Sequence, residues 1–350
     1  MKKSIILCTL FGLTASLASG QKSTAKNNDK PAKSEAPTAN QTHTPANREN
    51  AKIYYPALNE GKWGFIDSDG QLVIAHQYDG AEIFSENLAV VKFGGKFGFI
   101  ALDGKYEINP QFEKAEGFKE SLAAAKIKGK WGFIDKTGHF KIRPIFTDAK
   151  SFSGGLAPVK ENGKWGFINT DGDMVINPQF EDALPFVGNM ALVKFAKKWG
   201  FIGRDSKYII IPTFDMAKEF SEKVAAAKKD GKWGFIDETG NFVINPDFAD
   251  ANNFVDGLAP IKLGSKWGYM DKEGNLQINP QFSHANYFSE KVAVVENGSL
   301  SGFCNKEGVM VINSQFSHAE DFYHGLAKVK VGSKMAYIKS DGKIIWTQTK

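Results

Sequence analysis

One glycine returns every 34 residues through most of this chain: Gly64, Gly98, Gly132, Gly166, Gly200, Gly234, Gly268 and Gly302, with Ala336 in the ninth place. No step gains or loses a residue. A fixed period makes each repeat one unit of a single array, so the usual estimate of domain number from chain length does not apply. The array spans residues 51–350 and holds about nine units.

Other columns keep the same spacing. The residue before the glycine is Trp63, Phe97, Trp131, Trp165, Trp199, Trp233, Trp267, Ser301 and Met335, and the residue after it is Phe65, Phe99, Phe133, Phe167, Phe201, Phe235, Tyr269, Phe303 and Tyr337. A second glycine column starts at Gly70 and is broken by Ser206. Prolines stand at Pro110, Pro144, Pro178, Pro212, Pro246 and Pro280, with His76 and Ser314 at the ends. An alanine (Ala81 to Ala319), a phenylalanine (Phe84 to Phe322) and a Leu-Ala-x-Val-Lys-like run close each unit.

A period of 34 also suits helical hairpin repeats, but those need apolar residues at i, i+3, i+4 and i+7 and exclude mid-helix Gly and Pro. Here Trp63 and Phe65 alternate around Gly64, which is a strand pattern. Each unit therefore reads as a short three-stranded meander, with strands at Leu122–Lys126, Lys130–Asp135 and Phe140–Ile142 in one repeat. Lys128-Gly129, Asn162-Gly163 and Asp230-Gly231 mark tight hairpins, because these pairs tolerate positive φ. Proline is expected to end the third strand, since it donates no ladder hydrogen bond. The connector Pro110–Phe118 is expected to form a 3₁₀ turn or a tucked loop.

One meander cannot cover a Trp and three Phe, each worth about 1.5–3 kcal/mol when buried, so the units must stack. Leu88 and Val90 oppose Ala89 and Val91 on the two strand faces, which implies sheets covered on both sides. Atypical end units, with an irregular Tyr54–Glu60 and with Ser301 and Met335 in the Trp column, are what open arrays show. Nine three-stranded units also sit badly with propellers of about four to eight four-stranded blades. The expected fold is all-β, an open solenoid-like array, with a closed β-propeller as the alternative.

Lys2 and Lys3, the apolar run Ile5 to Leu17 and Ala18-Ser19-Gly20 read as a signal peptide over residues 1–20, so the chain is expected to be exported to periplasm, cell surface or medium. Residues 21–50 lack aromatic and branched aliphatic side chains and read as a disordered low-complexity linker. With the signal removed, Cys304 is the remaining cysteine, so no internal disulfide is expected. Net charge is +5, but residues 1–50 hold seven of the 44 Lys/Arg and three of the 39 Asp/Glu, leaving the repeats with 37 and 36. Such near-neutrality argues against a nucleic-acid partner.

The succession Gly-Lys-Trp-Gly-Phe-Ile-Asp, Asn-Pro-Gln-Phe, Ala-x-x-Phe and Leu-Ala-x-Val-Lys, seen in Gly231–Gly240 and Asn279–Phe288, resembles the bacterial WG-repeat family over about residues 53–346. Phe97, Ser301, Met335 and Ala336 depart from its pattern. The resemblance implies a β-rich, frequently exported repeat protein with no catalytic residues to carry over.

Trp63, Trp131, Trp165, Trp199, Trp233 and Trp267, with Phe65, Phe133, Phe167, Phe201 and Phe235, are expected to form the repeat core; a row of indoles facing solvent would instead be a platform for sugars. Lys130, Lys164, Lys232 and Lys266 belong to a lysine column that could face an acidic ligand. Alternatively such lysines guard hairpin edges, lie over aromatics or pair with the Asp67 column. His284 and His318 hold equivalent places in adjacent units but lack further ligands at metal spacing, and Cys304 reads as a buried thiol. No catalytic, cofactor or metal site is expected. The chain therefore reads as a non-enzymatic binding or structural scaffold for a protein or envelope component, or alternatively as a carbohydrate-binding module using the aromatic and lysine columns. Its contact surface would be tuned at positions that vary between repeats, such as Glu116-Gly117, Lys150-Ser151, Leu184-Pro185, Asn252-Asn253 and Asn286-Tyr287.

Overall fold

The computed structural model describes residues 52–349. The expected signal peptide and linker lie outside the described residues.

Each unit folds locally for reasons visible in its sequence. In the third, Ala123–Ile127 and Lys130–Ile134 pair in unbroken antiparallel register from Lys130↔Ile127 to Ile134↔Ala123. Their hairpin turns through Lys128 and Gly129 at φ 50° and 76°, the left-handed pair that a two-residue turn of matching twist requires. The next turn closes when Gly138 donates its amide to the Asp135 carbonyl at 3.0 Å, while Asp135 Oδ1 accepts from the amides of Thr137 and His139. Ser206, the exception in that glycine column, takes φ 66° at the same point.

The outer strand, Phe140–Phe146, does not end at the proline as the sequence pattern implies. It runs through Pro144 by means of a bulge, since the register jumps from Phe133↔Ile142 to Trp131↔Phe146. Proline is tolerated there because the bulge sits on an edge strand, where no ladder amide is needed. The bulge also accounts for the Trp-Gly pair. A Cβ on Gly132 would lie 2.5 Å from the Ile142 carbonyl oxygen and 2.7 Å from the Pro144 nitrogen, so only glycine fits beneath the bulged backbone. Blade 9 tests this logic: Ala336↔Thr347 and Tyr337↔Trp346 pair without a bulge between them, and alanine is accommodated.

The connector after the outer strand also differs from expectation. Its alanine joins a two-residue strand, such as Lys114–Ala115, that adds a fourth and innermost strand to the following sheet. The described residues thus form nine antiparallel sheets in meander order, the first with three strands and the other eight with four. We number them as blades 1 to 9. Blade 1 comprises Tyr55–Asn59, Lys62–Ile66 and Leu72–Tyr78; blade 2 has Gly80–Ala81, Leu88–Phe93, Lys96–Ala101 and Tyr106–Phe112. Blade 3 has Lys114–Ala115, Ala123–Ile127, Lys130–Ile134 and Phe140–Phe146; blade 4 has Asp148–Ala149, Leu156–Glu161, Lys164–Asn169 and Met174–Phe180. Blade 5 has Asp182–Ala183, Ala191–Phe195, Lys198–Ile202 and Tyr208–Phe214; blade 7 has Asp250–Ala251, Ala259–Leu263, Lys266–Met270 and Leu276–Phe282; blade 8 has His284–Ser289, Val292–Asn297, Leu300–Cys304 and Met310–Phe316; blade 9 has His318–Ala319, Ala327–Val331, Lys334–Ile338 and Ile344–Thr347.

The core lies between blades. Trp131, Phe133, Ile142 and Phe146 of blade 3 pack on Ala149, Phe152, Ala157, Val159 and Ile168 of blade 4. Trp165, Phe167, Ile176 and Phe180 of blade 4 meet Ala183, Phe186, Ala191, Val193 and Ile202 of blade 5 in the same way. Strand alternation sends Trp and Phe toward the next blade and sends Ile and Ala back toward the previous one.

The open array is not what forms. The last interface repeats this arrangement with the first blade: Leu326 and Tyr337 of blade 9 join Tyr55, Ala57 and Ile66 of blade 1 in one cluster. Tyr337 Oη donates to the Pro56 carbonyl at 2.9 Å, Tyr55 Oη donates to the His324 carbonyl at 2.6 Å, and Lys339 pairs with Asp69. The chain is a closed nine-blade β-propeller. A head-to-tail interface closes into a ring when its rotation divides the circle, and here it does so at nine blades. The end units differ from the interior ones because they meet each other, and not because they face water.

Candidate functional site

Eight innermost strands present the side chain that follows the alanine column: Glu82, Glu116, Lys150, Leu184, Lys218, Asn252, Asn286 and Glu320. Their backbone is held on the neighbouring strand, Asn286 lying within the paired strand His284–Ser289. Glu82, Glu116, Lys150, Leu184, Lys218, Asn252 and Glu320 each donate their amide to the adjacent strand, at 2.8–2.9 Å. The scaffold is constant and the side chain changes, which is the signature of a tuned surface on a rigid support.

Two of these side chains, Glu82 and Glu320, line a cavity of about 520 Å³. Its lining includes Tyr55 and Pro56 of blade 1, Glu82 and Ser85 of blade 2, Gly117 and Lys119 of blade 3, Ser151 of blade 4, and Glu320, Asp321 and Tyr323 of blade 9. Only the axis of the ring adjoins blades 9, 1, 2, 3 and 4 at once, so this is the mouth of the axial channel.

Cross-blade hydrogen bonds tie the variable positions together. Lys150 Nζ donates to Asp182 Oδ1 at 3.1 Å and to the Ala183 carbonyl at 2.8 Å, and lies 4.8 Å from the Trp165 ring. Lys218 donates to Asn252 and stands over Trp233, Ser151 Oγ donates to Glu116, and Asn286 Nδ2 donates to Asp321. The channel cations are thus drawn sideways onto neighbours. The carboxylates are less well served. Burial, and then the nearby Glu116, pushes Glu82 above the usual carboxylate range; burial does the same to Glu116 and Asp321. Burial also lowers Lys218. Desolvation thus opposes charge on each of these groups.

The residues singled out from sequence fall elsewhere. Trp131, Trp165, Trp233 and Trp267 are at most 8% exposed, Trp63 and Trp199 are half-buried, and Phe65, Phe133, Phe167, Phe201 and Phe235 are buried. Lysines of the second column lie over the rings, with Lys126, Lys160, Lys194 and Lys262 at 5.7–6.0 Å from Trp131, Trp165, Trp199 and Trp267. Lys130, Lys164, Lys232 and Lys266 are exposed beside the hairpins, and none lines the axial cavity. The expected pairing of that column with the Asp67 column does not occur where partners are seen: Lys62 and Lys198 pair with Asp79 and Asp215 at 2.6 and 2.5 Å. Asp67-type carboxylates are committed to the turn amides instead, as Asp67 is to those of Asp69 and Gln71.

His284 lies edge-on to Trp267 and contacts Asn286, whereas His318 lines a separate hollow in blade 9. Among the described residues no three His, Cys, Asp or Glu side chains converge as metal ligands would. Cys304 is buried, and burial pushes its thiol up to about 12.

Of the five variable pairs singled out in the sequence, Glu116-Gly117 and Lys150-Ser151 reach the cavity, through Gly117 and Ser151, while the pairs at Leu184, Asn252 and Asn286 do not line it. Glu82, Glu320, Asp321 and the seam tyrosines line it without having been singled out. Their signal was the break in uniformity right after the alanine column, which extends from Glu82 to Glu320.

The model of the "WG containing repeat" matches residues 63–97, 97–131, 131–165, 165–199, 199–233, 233–267, 267–300 and 302–334. The chain belongs to the WG-repeat family. No curated protein matches it in sequence. Among solved structures, this WG-repeat protein is similar to a eukaryotic initiation factor at TM-score 0.63 and 11% identity, over 85% of this chain and 96% of that one. Two further likenesses are weaker. The dihydro-heme d1 dehydrogenase NirN gives TM-score 0.47 at 11% identity over 85% and 72% of the two chains, and Hsv2p of Kluyveromyces lactis gives 0.41 at 9% over 64% and 91%. At such identities the likeness to the initiation factor is one of fold alone.

Proposed function

We propose that this WG-repeat protein is an exported, non-enzymatic binding scaffold that engages a protein or cell-envelope component at the mouth of its axial channel. One observation carries the reading: the repeats spend their constant residues on packing between blades, while the variable positions after the alanine column bring Glu82, Gly117, Ser151, Glu320 and Asp321 to a cavity of about 520 Å³. A rigid ring that varies only where its loops converge is built to hold one surface in place.

Catalysis finds little support, because the channel carboxylates Glu82, Glu116, Glu320 and Asp321 come with no histidine, cysteine or further acid gathered around one point among the described residues. Sugar stacking on the tryptophan column is disfavoured as well, because four of the six core indoles are buried against the following blade and five lie under lysines. No helix among the described residues is long and apolar enough to cross a membrane.

The test is site-directed crosslinking in the native host. A photoreactive side chain at Ser151 or Tyr323, both lining the cavity, should trap a defined partner, whereas one at Lys164 on the hairpins should not. Equal trapping at all three positions would refute the placement of the site.

A further inference from the structure

At one place in the ring the chain puts a smaller side chain where most of its other repeats put an indole. In blades 3, 4, 5 and 7 a lysine of one strand covers the indole of the strand beside it. Blade 9 keeps the register, with Lys330↔Met335 standing where Lys126↔Trp131 and Lys160↔Trp165 stand, but the indole is replaced by methionine. A hollow of about 300 Å³ opens there, lined by Leu58 of blade 1 and by Val329, Lys330, Met335 and Gln348 among others. At Ser301, where the indole is also missing, the serine is itself 1% exposed and the gap is closed.

This hollow adjoins the axial mouth, since Glu320 and Lys328 line both. The mouth carries Glu82, Glu320 and Asp321 against Lys119 and Lys328. Lys328 is held by Glu320 at 2.5 Å, and among the described residues neither Glu82 nor Asp321 has a cationic partner. An apolar seat under a lysine and an acid-rich chamber therefore lie side by side at the seam of the ring.

We propose that the seam binds an exposed segment of a partner protein in which an aromatic side chain stands next to an arginine or lysine. The ring enters the hollow at Met335 beneath Lys330, as the chain's own indoles sit beneath their lysines, and the cationic group meets Glu82 and Asp321 in the axial mouth. Residues 21–50 of this chain contain no aromatic side chain, so they cannot supply the ring. This assignment rests on the binding-scaffold reading and gives it a site and a partner chemistry.

The experiment uses the full chain and a random dodecapeptide display library as the probe. Selected peptides should be enriched in Trp, Tyr or Phe beside Arg or Lys. Met335→Trp fills the seat with the residue that the repeat uses elsewhere, so it should fold, and it should weaken the selected peptides at least about tenfold. Glu82→Gln combined with Asp321→Asn should weaken them by a similar factor and erase the preference for a basic residue while sparing the aromatic one. Enriched peptides that ignore all these variants would overturn the seam site and leave the scaffold reading standing. A library that yields nothing would count against both. Self-association of the full chain that Met335→Trp abolishes, with no peptide selected, would assign the seat to a second copy and overturn the proposal.

Discussion

The interface between blades 3 and 4 and the seam between blades 9 and 1 are built on one plan with different parts. In the first, Trp131, Phe133 and Phe146 meet Ala149, Phe152 and Val159, and the ring centroids of Phe133 and Phe152 lie 4.7 Å apart in edge-to-face contact. At the seam the Trp place holds Met335, the Phe place holds Tyr337, and an alanine place holds Tyr55. Tyrosine hydroxyls bridge to backbone carbonyls of the opposite blade, which no residue at those places does in the interior pair. The interior pair has cross-blade hydrogen bonds too, such as Ser151 Oγ to Glu116, but they lie outside its aromatic core, whereas at the seam the ring residues themselves make them, as Tyr269 does toward Asn286 between blades 7 and 8. The seam bonds fix the register between two ends of the chain that no strand joins among the described residues.

If that contrast is right, truncating an interior ring should cost most. Phe133→Ala removes a fully buried ring between two tightly packed faces and should destabilise by about 3–5 kcal/mol in chemical denaturation. A smaller loss would mean that neighbouring blades collapse into the space more easily than their packing suggests. Next in size is Gly132→Ala, which sets a methyl against the backbone of the bulge and should cost about 1–3 kcal/mol or more. Ala336→Gly, at the unbulged equivalent, should cost only the strand entropy of glycine, about 0.5–1 kcal/mol. Equal costs at the two positions would break the link between the bulge and the glycine column.

Tyr337→Phe restores the interior residue at the seam and removes a hydrogen bond to the Pro56 carbonyl, for an expected loss of about 1–3 kcal/mol. The loss should be local. Amide exchange in Tyr55–Asn59 should quicken while Leu156–Glu161, on the far side of blade 4, stays protected. Uniform quickening around the ring would show that the seam opens only with global unfolding, and the two interfaces would then be energetically alike.

Most of the blade could be read in the sequence. Alternation around Gly132 specifies strands, Lys128-Gly129 and Gly138 specify their turns, and a 34-residue step specifies stacking. Three things could not be read. The two-residue innermost strand, such as Lys114–Ala115, is too short to leave an alternation and exists only through its pairing with the next unit. Pro144 as a strand residue depends on the bulge, which is a property of strand pairing, and a single strand's composition does not contain it. Ring closure depends on a small rotation repeated nine times, and no residue encodes that angle alone. Tyr269 and Tyr337 both stand in a column otherwise of phenylalanine and both bond a carbonyl of the next blade, but Tyr337 is in the last unit, where a following blade exists only if the ring closes. The axial site was half legible for a similar reason: variability marks a surface, but only closure brings Glu82 and Asp321 to one chamber.

The smallest effect separates the channel from the outer faces of the ring by pH. Glu116 is raised above the ordinary glutamate value chiefly by burial, so its charged form is the less stable one in the folded ring. Its contribution is therefore favourable at low pH and is lost as pH rises from the unfolded value through the folded one. Asp215, on the hairpin side, is lowered chiefly by its bond from Lys198, so its contribution is present above the unfolded value and is lost as pH falls. Glu116→Gln keeps an acceptor for the Ser151 hydroxyl and removes the charge, so its Tm should exceed that of the parent at neutral pH and converge with it below the carboxylate range. Asp215→Asn should show the reverse order at neutral pH, with the same convergence in acid. A Glu116→Gln protein less stable than the parent at neutral pH would mean that the channel carboxylate is compensated, and the contrast between a desolvated axis and a solvated rim would fall.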